Sequence, residues 1–305
     1  MDPACSSGYE DCLKRWIPLF AWLMVVLCFI SIPLKIVALG YLPTDDALRH
    51  AAKVVSGKAW SDIIILRPEM TIDLHPGWHA ILGVLHRAAG VQLDGLVVFE
   101  ISMAFLLLCF VPLFWLRRPE AWVLAMLVAV VSYAGFIGRV MLGRPFIIPM
   151  SALAALLFLW RDDRTSPLRR YILSVVLMGL AAWIHGSWYL FGIVPAAVLL
   201  TGAWKRAFRL ALCWLLGAVL GGALAGQPLE FPRQQLMHML NVMGHATLQR
   251  MLVPELQPSD GAFSFLVAVA LMLLWLRLVR GRWDASTFRN PAFVLGVLGW
   301  VLSLA

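Results

Sequence analysis

"WIPLFAWLMVVLCFISIPLKIVALGYLPTDDALRH", Trp16 to His50, decides how the rest of the chain is read. From Trp16 to Leu39 it is almost wholly apolar, with Lys35 near its end. That run is at least as long as the ~20 residues that cross a bilayer. It then breaks into Asp45, Asp46, Arg49 and His50 within six residues. A membrane-crossing run that opens onto clustered charge predicts a helix bundle with polar groups gathered at one surface.

The whole chain agrees. It has 305 residues, of which 61% are hydrophobic and 14% charged, with a mean hydropathy of +0.83. Soluble domains sit near half apolar and a quarter charged. The alternation of a membrane β-barrel is absent. The predicted class is an all-α polytopic membrane protein with about eight or nine transmembrane helices. The net charge of +8 comes from basic clusters between the apolar runs. It follows the positive-inside pattern and gives no reason to expect nucleic acid as a partner. Of the five cysteines, Cys28, Cys109 and Cys213 lie in apolar runs as small hydrophobes. No cysteine spacing suggests a metal or a disulfide framework.

Lys14 and Arg15 precede the first run, which places the N-terminus, residues 1–15, in the cytoplasm. The run is long for a signal h-region and reads as an uncleaved anchor. An outer loop, 41–93, follows, with amphipathic helices expected at "TDDALRHAAKVV" and "HPGWHAILGVLHRAAG". Further spans are expected near 95–116, 120–137, 145–160, 171–184, 190–203 and 211–225. A polar outer loop, 226–260, then leads to C-terminal helices in 261–305. Alternation puts Arg117/Arg118, Arg161–Arg170, Lys205–Arg209 and Arg277–Arg289 on the same side as Lys14/Arg15. The last apolar run reaches Ala305, so a longer natural chain is expected.

With the cytoplasmic charges accounted for, the outer side holds the chemistry. All seven histidines, from His50 to His245, map to it or its edge. Asp45 and Asp46 follow Thr44, so they suit the first turn of a helix, where acids complement the dipole. A carboxylate at an interface also suits a general base for a hydroxyl. Arg49 and His50 stand one helical turn beyond. Arg139 and Arg144, in "GRVMLGRP", lie at outer span ends against the positive-inside trend. Arg144, next to Pro145, starts a helix, a position that favours anions, and arginine grips phosphate through two hydrogen bonds. Snorkelling to the headgroups is the plainer reading. In "RPEMTIDLHPGWHA", Arg67, His75 and His79 lie near Glu69 and Asp73. The HxxxH spacing is a weak metal signal, interrupted by Pro76 and Gly77, and no metal ligands are assigned. His185 in "WIHGSWY", and His245 and Arg250 in the later outer loop, complete the candidate substrate contacts.

This arrangement resembles the membrane glycosyltransferases of the GT-C type over about residues 16–225. The resemblance rests on the cytoplasmic N-terminus, the acids directly after the first span, amphipathic helices in the first outer loop, and Arg139, Arg144 and His185 at later outer span ends. It implies an inverting transfer of a sugar from a polyprenyl-phosphate donor on the extracytoplasmic face, in a bacterial inner membrane. Asp45 or Asp46 would activate the acceptor, a glycan, lipid or protein, and the arginines would hold the phosphate leaving group. No cofactor is firmly implied, though some members use a divalent cation, Mg or Mn. A lipid-carrier transporter would need ionisable residues within its spans, and Lys35 and Glu100 are the few present. A non-catalytic membrane subunit would leave the outer charge set unexplained.

Overall fold

The computed structural model of the chain describes residues 16, 19–20, 22–23, 26–27, 30–31, 34, 46–62, 71–110, 122–123, 125–126, 142–161, 165–244, 262–281 and 285–302. Among them every regular element is helical and none is a strand. Helix α1, Asp46–Ser56, buries Ala47, His50 and Ala51, which share one face at helical spacing. Helix α2, Pro76–Ala89, starts on a proline, which lacks only an amide that the first turn leaves unpaired anyway. It stops at Gly90, whose left-handed φ of 67° caps it. Both are the amphipathic helices expected of the outer loop. They pack with α3, Leu93–Phe110, around Trp78, Leu82, Leu96, Val97 and Ile101.

A second bundle follows. It comprises α4 (Ile147–Arg161), α5 (Pro167–Ile184), a 3-10 turn (Trp188–Gly192), α6 (Ile193–Leu200) and α7 (Trp204–Leu224). Leu156, Met178, Phe191, Val194 and Leu210 form its core. Among the described helices, α5 and α7 pack together most extensively. A Cβ at Gly217 would lie 2.6 Å from that of Met178, and one at Gly221 2.7 Å from that of Ala182. This four-residue glycine spacing lets two backbones approach as they do in membrane helix pairs. Beyond lie α8 (Glu230–Gly244), α9 (Ala262–Arg280), α10 (Ala285–Phe288) and α11 (Pro291–Leu302).

Helices α5 and α7 are long and apolar enough to cross a membrane. Only 28% and 39% of their apolar windows are buried in the protein. Phe208, Leu212, Leu215 and Leu216 of α7 face outward instead. Water would penalise so much exposed apolar surface, whereas lipid would not.

Three boundaries differ from expectation. Helix α7 begins at Trp204, so Lys205, Arg206 and Arg209 occupy its first turns instead of a connection between spans. Lysine and arginine are good helix formers whose stems can lie along apolar surface. The apolar stretch 190–203 is divided between the 3-10 turn and the eight-residue α6. At 1.5 Å per residue that helix falls well short of a bilayer. The polar loop 226–260 contains α8. Most of the expected spans 16–39 and 120–137 lies outside the described residues.

Candidate functional site

The site forms where α1, the segment before α2, the end of α5 and the entry to α4 meet. Entry to α4 is a tight turn. Gly143 has a φ of 64°, and a Cβ there would come within 2.8 Å of Ala47 Cβ and 2.9 Å of Ile101 Cγ1. Only glycine suits both the dihedral and the space. The Ala47 amide donates to the Leu142 carbonyl at 3.2 Å, fastening this turn to the start of α1. The next residue, Arg144, therefore faces Asp46. Its Nε lies 2.7 Å from Asp46 Oδ2, and Asp46 Oδ1 also receives Arg49. One carboxylate is thus held between two guanidiniums, with Asp46 and Arg144 both part-buried.

One helical turn along α1 begins a second set. His50 Nδ1 lies 2.8 Å from His79 Nε2, and His79 Nδ1 lies 2.6 Å from Asp73 Oδ2. Asp73 Oδ1 accepts the His75 amide at 2.9 Å, and Lys53 Nζ stands 3.3 Å from Oδ2. Trp60 stacks on His50 with ring centroids 5.5 Å apart and planes 5° apart. His75 presents its ring at steep angles to both His50 (4.8 Å) and His185 (4.6 Å). His185 Nδ1 is 2.8 Å from Ser187 Oγ. Two buried atoms here, His75 Nδ1 and Trp60 Nε1, have no hydrogen-bond partner. An unmet buried polar group costs about 1–3 kcal/mol, which a polar ligand would recover.

Burial decides the protonation. It pushes the imidazoles of His50 and His75 well below the ordinary histidine range, helped by repulsion from neighbouring histidines and Arg49. His185 falls to about 4, through burial and then Arg144. His79 is also lowered by burial, although Asp73 opposes it. Burial alone would raise the Asp73 carboxyl, but the hydrogen bond and charge of His79, with the His75 amide and Lys53, bring it below its usual value. At neutral pH the cluster is neutral imidazoles around one ionised carboxylate.

Supporting contacts come from three directions. Gln234 on α8 accepts the Thr71 and Ile72 amides at 3.2 and 3.3 Å and fixes the strand-like approach to Asp73. The Gly186 amide donates to the Leu74 carbonyl at 3.0 Å. Gly77, in the first turn of α2, sits so close to Trp183 that a Cβ would lie 2.5 Å from the indole. Below the cluster, Trp78 Nε1 donates to Glu100 Oε2 at 2.8 Å, while the other carboxyl oxygen is buried without a partner. Trp78→Phe removes the one hydrogen bond that the described residues make to that carboxyl. It is expected to lower stability by about 1–3 kcal/mol. Thermal unfolding of the detergent-solubilised protein checks this, and the pair Trp78→Phe/Glu100→Met should recover most of the loss. An unchanged unfolding temperature in the single variant would show that the indole hydrogen bond contributes nothing.

Of the residues singled out in the sequence, Asp46, Arg49 and Arg144 form the first group and His50, His75, His79 and His185 the second. Asp45, Arg67, Arg139, His245 and Arg250 lie outside the described residues. Asp73, Lys53 and Trp60 complete the cluster without having been assigned a role from sequence. Asp73 had one legible signal, its place two residues before His75 and six before His79. Among the described residues no donor set for a divalent cation is assembled. Asp46 is flanked by guanidiniums, and among the described residues no group of three His, Cys, Asp or Glu side chains could hold a metal ion.

No protein-family model matches the chain, and neither a curated protein nor a solved structure matches it.

Proposed function

We propose that this chain is an integral-membrane glycosyltransferase of the GT-C type, with eight or nine spans. It moves a sugar from a polyprenyl-phosphate donor to an acceptor hydroxyl at the extracytoplasmic face of a bacterial inner membrane. The observation that carries the reading is the Arg49–Asp46–Arg144 group, seated directly after the first apolar run and at the entry to α4. Two guanidiniums at the depth of lipid headgroups suit a phosphate that gains charge as it leaves. Asp46 orients both of them. In the reaction an acceptor oxygen bonds to the anomeric carbon on the face opposite the phosphate. The carbon–oxygen bond to phosphate breaks, and its electron pair stays with the lipid phosphate. The acceptor proton must go to a base on the protein. Asp45, Asp46 and the histidine cluster are the groups within the outer set able to take it.

Transfer of radiolabelled sugar from polyprenyl-phosphate donors, measured in membranes at matched expression, tests the reading. Wild type is expected to transfer, and Asp46→Asn to lose activity chiefly by weakening the grip on the donor. An inactive wild type across all donors would remove the transferase reading. Lipid flipping would then be the next activity to measure.

A further inference from the structure

We infer that the proton acceptor is His50, working through a chain of two imidazoles that ends on Asp73. The inference rests on the transferase reading and deepens it by naming the group that activates the acceptor. Its ground is geometric. Asp73 Oδ2, His79 Nδ1, His79 Nε2 and His50 Nδ1 form one continuous path, with heavy-atom separations of 2.6 and 2.8 Å. The chain is drawn from three elements, α1, the segment before α2, and α2 itself.

The path has one direction. An ionised Asp73 only accepts, so His79 donates from Nδ1. A neutral His79 then offers a lone pair at Nε2, so His50 donates from Nδ1. That leaves the lone pair of His50 on Nε2. This is the arrangement a base needs, with its far nitrogen oriented by a second group. The neutral state of both rings follows from their burial.

The surroundings provide for an acceptor hydroxyl. Trp60, stacked on His50, has a buried indole N–H without a partner, and His75, edge-on to His50, has a buried Nδ1 without one. A sugar-like acceptor with neighbouring hydroxyls meets these needs. One hydroxyl oxygen takes the Trp60 N–H and gives its proton to His50 Nε2, while a second hydroxyl bonds His75 Nδ1. In the transfer step the acceptor O–H bond breaks and the oxygen lone pair forms the new bond to the anomeric carbon. The proton arrives on His50 Nε2, and the Nδ1 proton of His50 passes to His79 Nε2. The positive charge then rests on His79, against the Asp73 carboxylate and away from Arg49. Water returns the proton after product leaves.

This base lies one helical turn from Asp46 and the arginines, so the proton and the leaving phosphate are handled by separate groups. Arg49 and Lys53 on α1, Asp73 and His75 before α2, His79 on α2 and His185 after α5 are the charged and titratable groups around it.

The test compares wild type, His50→Ala, His79→Gln, Asp73→Asn and Asp46→Asn in the sugar-transfer assay, with thermal unfolding as a folding control. His50→Ala is expected to lose about 100-fold or more in kcat with little change in the donor KM. Added imidazoles should restore part of it, with a rate that rises with the basicity of the imidazole. Asp73→Asn should move the acid limb of the kcat profile, because the charge on His79 loses its counterion. Asp46→Asn should act on the donor KM instead. If wild type transfers and folded His50→Ala keeps full kcat, or if added imidazole rescues nothing, His50 is not the base although the transferase reading stands. If wild type transfers nothing, both fall together.

Discussion

Between pH 7 and pH 5 the protein should lose about 2 kcal/mol of stability through His185 alone, and about 3 kcal/mol by pH 4. His185 falls from the ordinary histidine value to about 4 in the folded protein, because burial and Arg144 both oppose its charge. In the unfolded chain it takes a proton near pH 6.5. As pH drops through that value the unfolded state binds more protons than the folded one, so acid favours unfolding. The loss begins below about pH 6.5 and levels off only near the folded value. His50 and His75 are displaced in the same direction by burial and enlarge the effect. Asp73 works the same way but lower, because a depressed carboxyl loses its contribution only as pH falls below the usual carboxylate range. The measurement is thermal unfolding in detergent at several pH values, for wild type and for His185→Gln. The wild-type unfolding temperature should fall from pH 7 to pH 5, and the variant should lack a large part of that fall. A flat wild-type curve would mean that the histidines reach solvent and ionise freely.

On the proposed transferase reading, replacing Arg144 with leucine should reduce sugar transfer by about 100- to 1,000-fold, the range seen when one donor to a developing oxyanion is removed. The turn before it sets where this side chain points. Arg144 follows the left-handed Gly143 and precedes Pro145, so its backbone is fixed by a turn that fits only glycine. Its side chain shares Asp46 with Arg49, and of the two guanidiniums Arg49 is the more exposed. Arg144→Lys retains the charge but not the paired hydrogen bonds and should recover only part of the activity. Because Asp46 and Arg144 touch, their losses should not add. Asp46→Asn/Arg144→Leu is expected to be no worse than Arg144→Leu by itself. The expected signature is a raised donor KM together with a lower kcat. Full activity in folded Arg144→Leu would place the phosphate elsewhere.

What the sequence showed depended on how local each feature was. Helix α2 was legible from Pro76 and Gly90, because start and stop signals act within a turn. Helix α1 was legible from the spacing of Ala47, His50 and Ala51. The start of α7 was misplaced because Lys205, Arg206 and Arg209 read as a boundary, yet charge at a helix start does not prevent the helix from forming. The hydrogen bond between His50 and His79 spans 29 positions, and no local pattern announces it. His75 and His79 stood out as candidate substrate contacts, with only a weak metal signal in their spacing, and in the structure His79 spends both ring nitrogens on Asp73 and His50. Asp46 stood out in the sequence as a candidate acid, but its pairing with Arg144 required the Gly143 turn to bring α4 back to α1.

The contact between Gly77 and Trp183 leaves no room for even a methyl group, and Gly186 is equally hemmed in by Gln235. The first turn of α2 and the end of α5 are therefore packed tightly behind the histidines, with Gln235 of α8 laid against Gly186. A guest arriving there finds its partners already in position and gains little by deforming them. Such packing sorts by outline before any bond is made. On the proposed transferase reading, an acceptor analogue enlarged on the side facing α2 should bind less well than one enlarged on the far side.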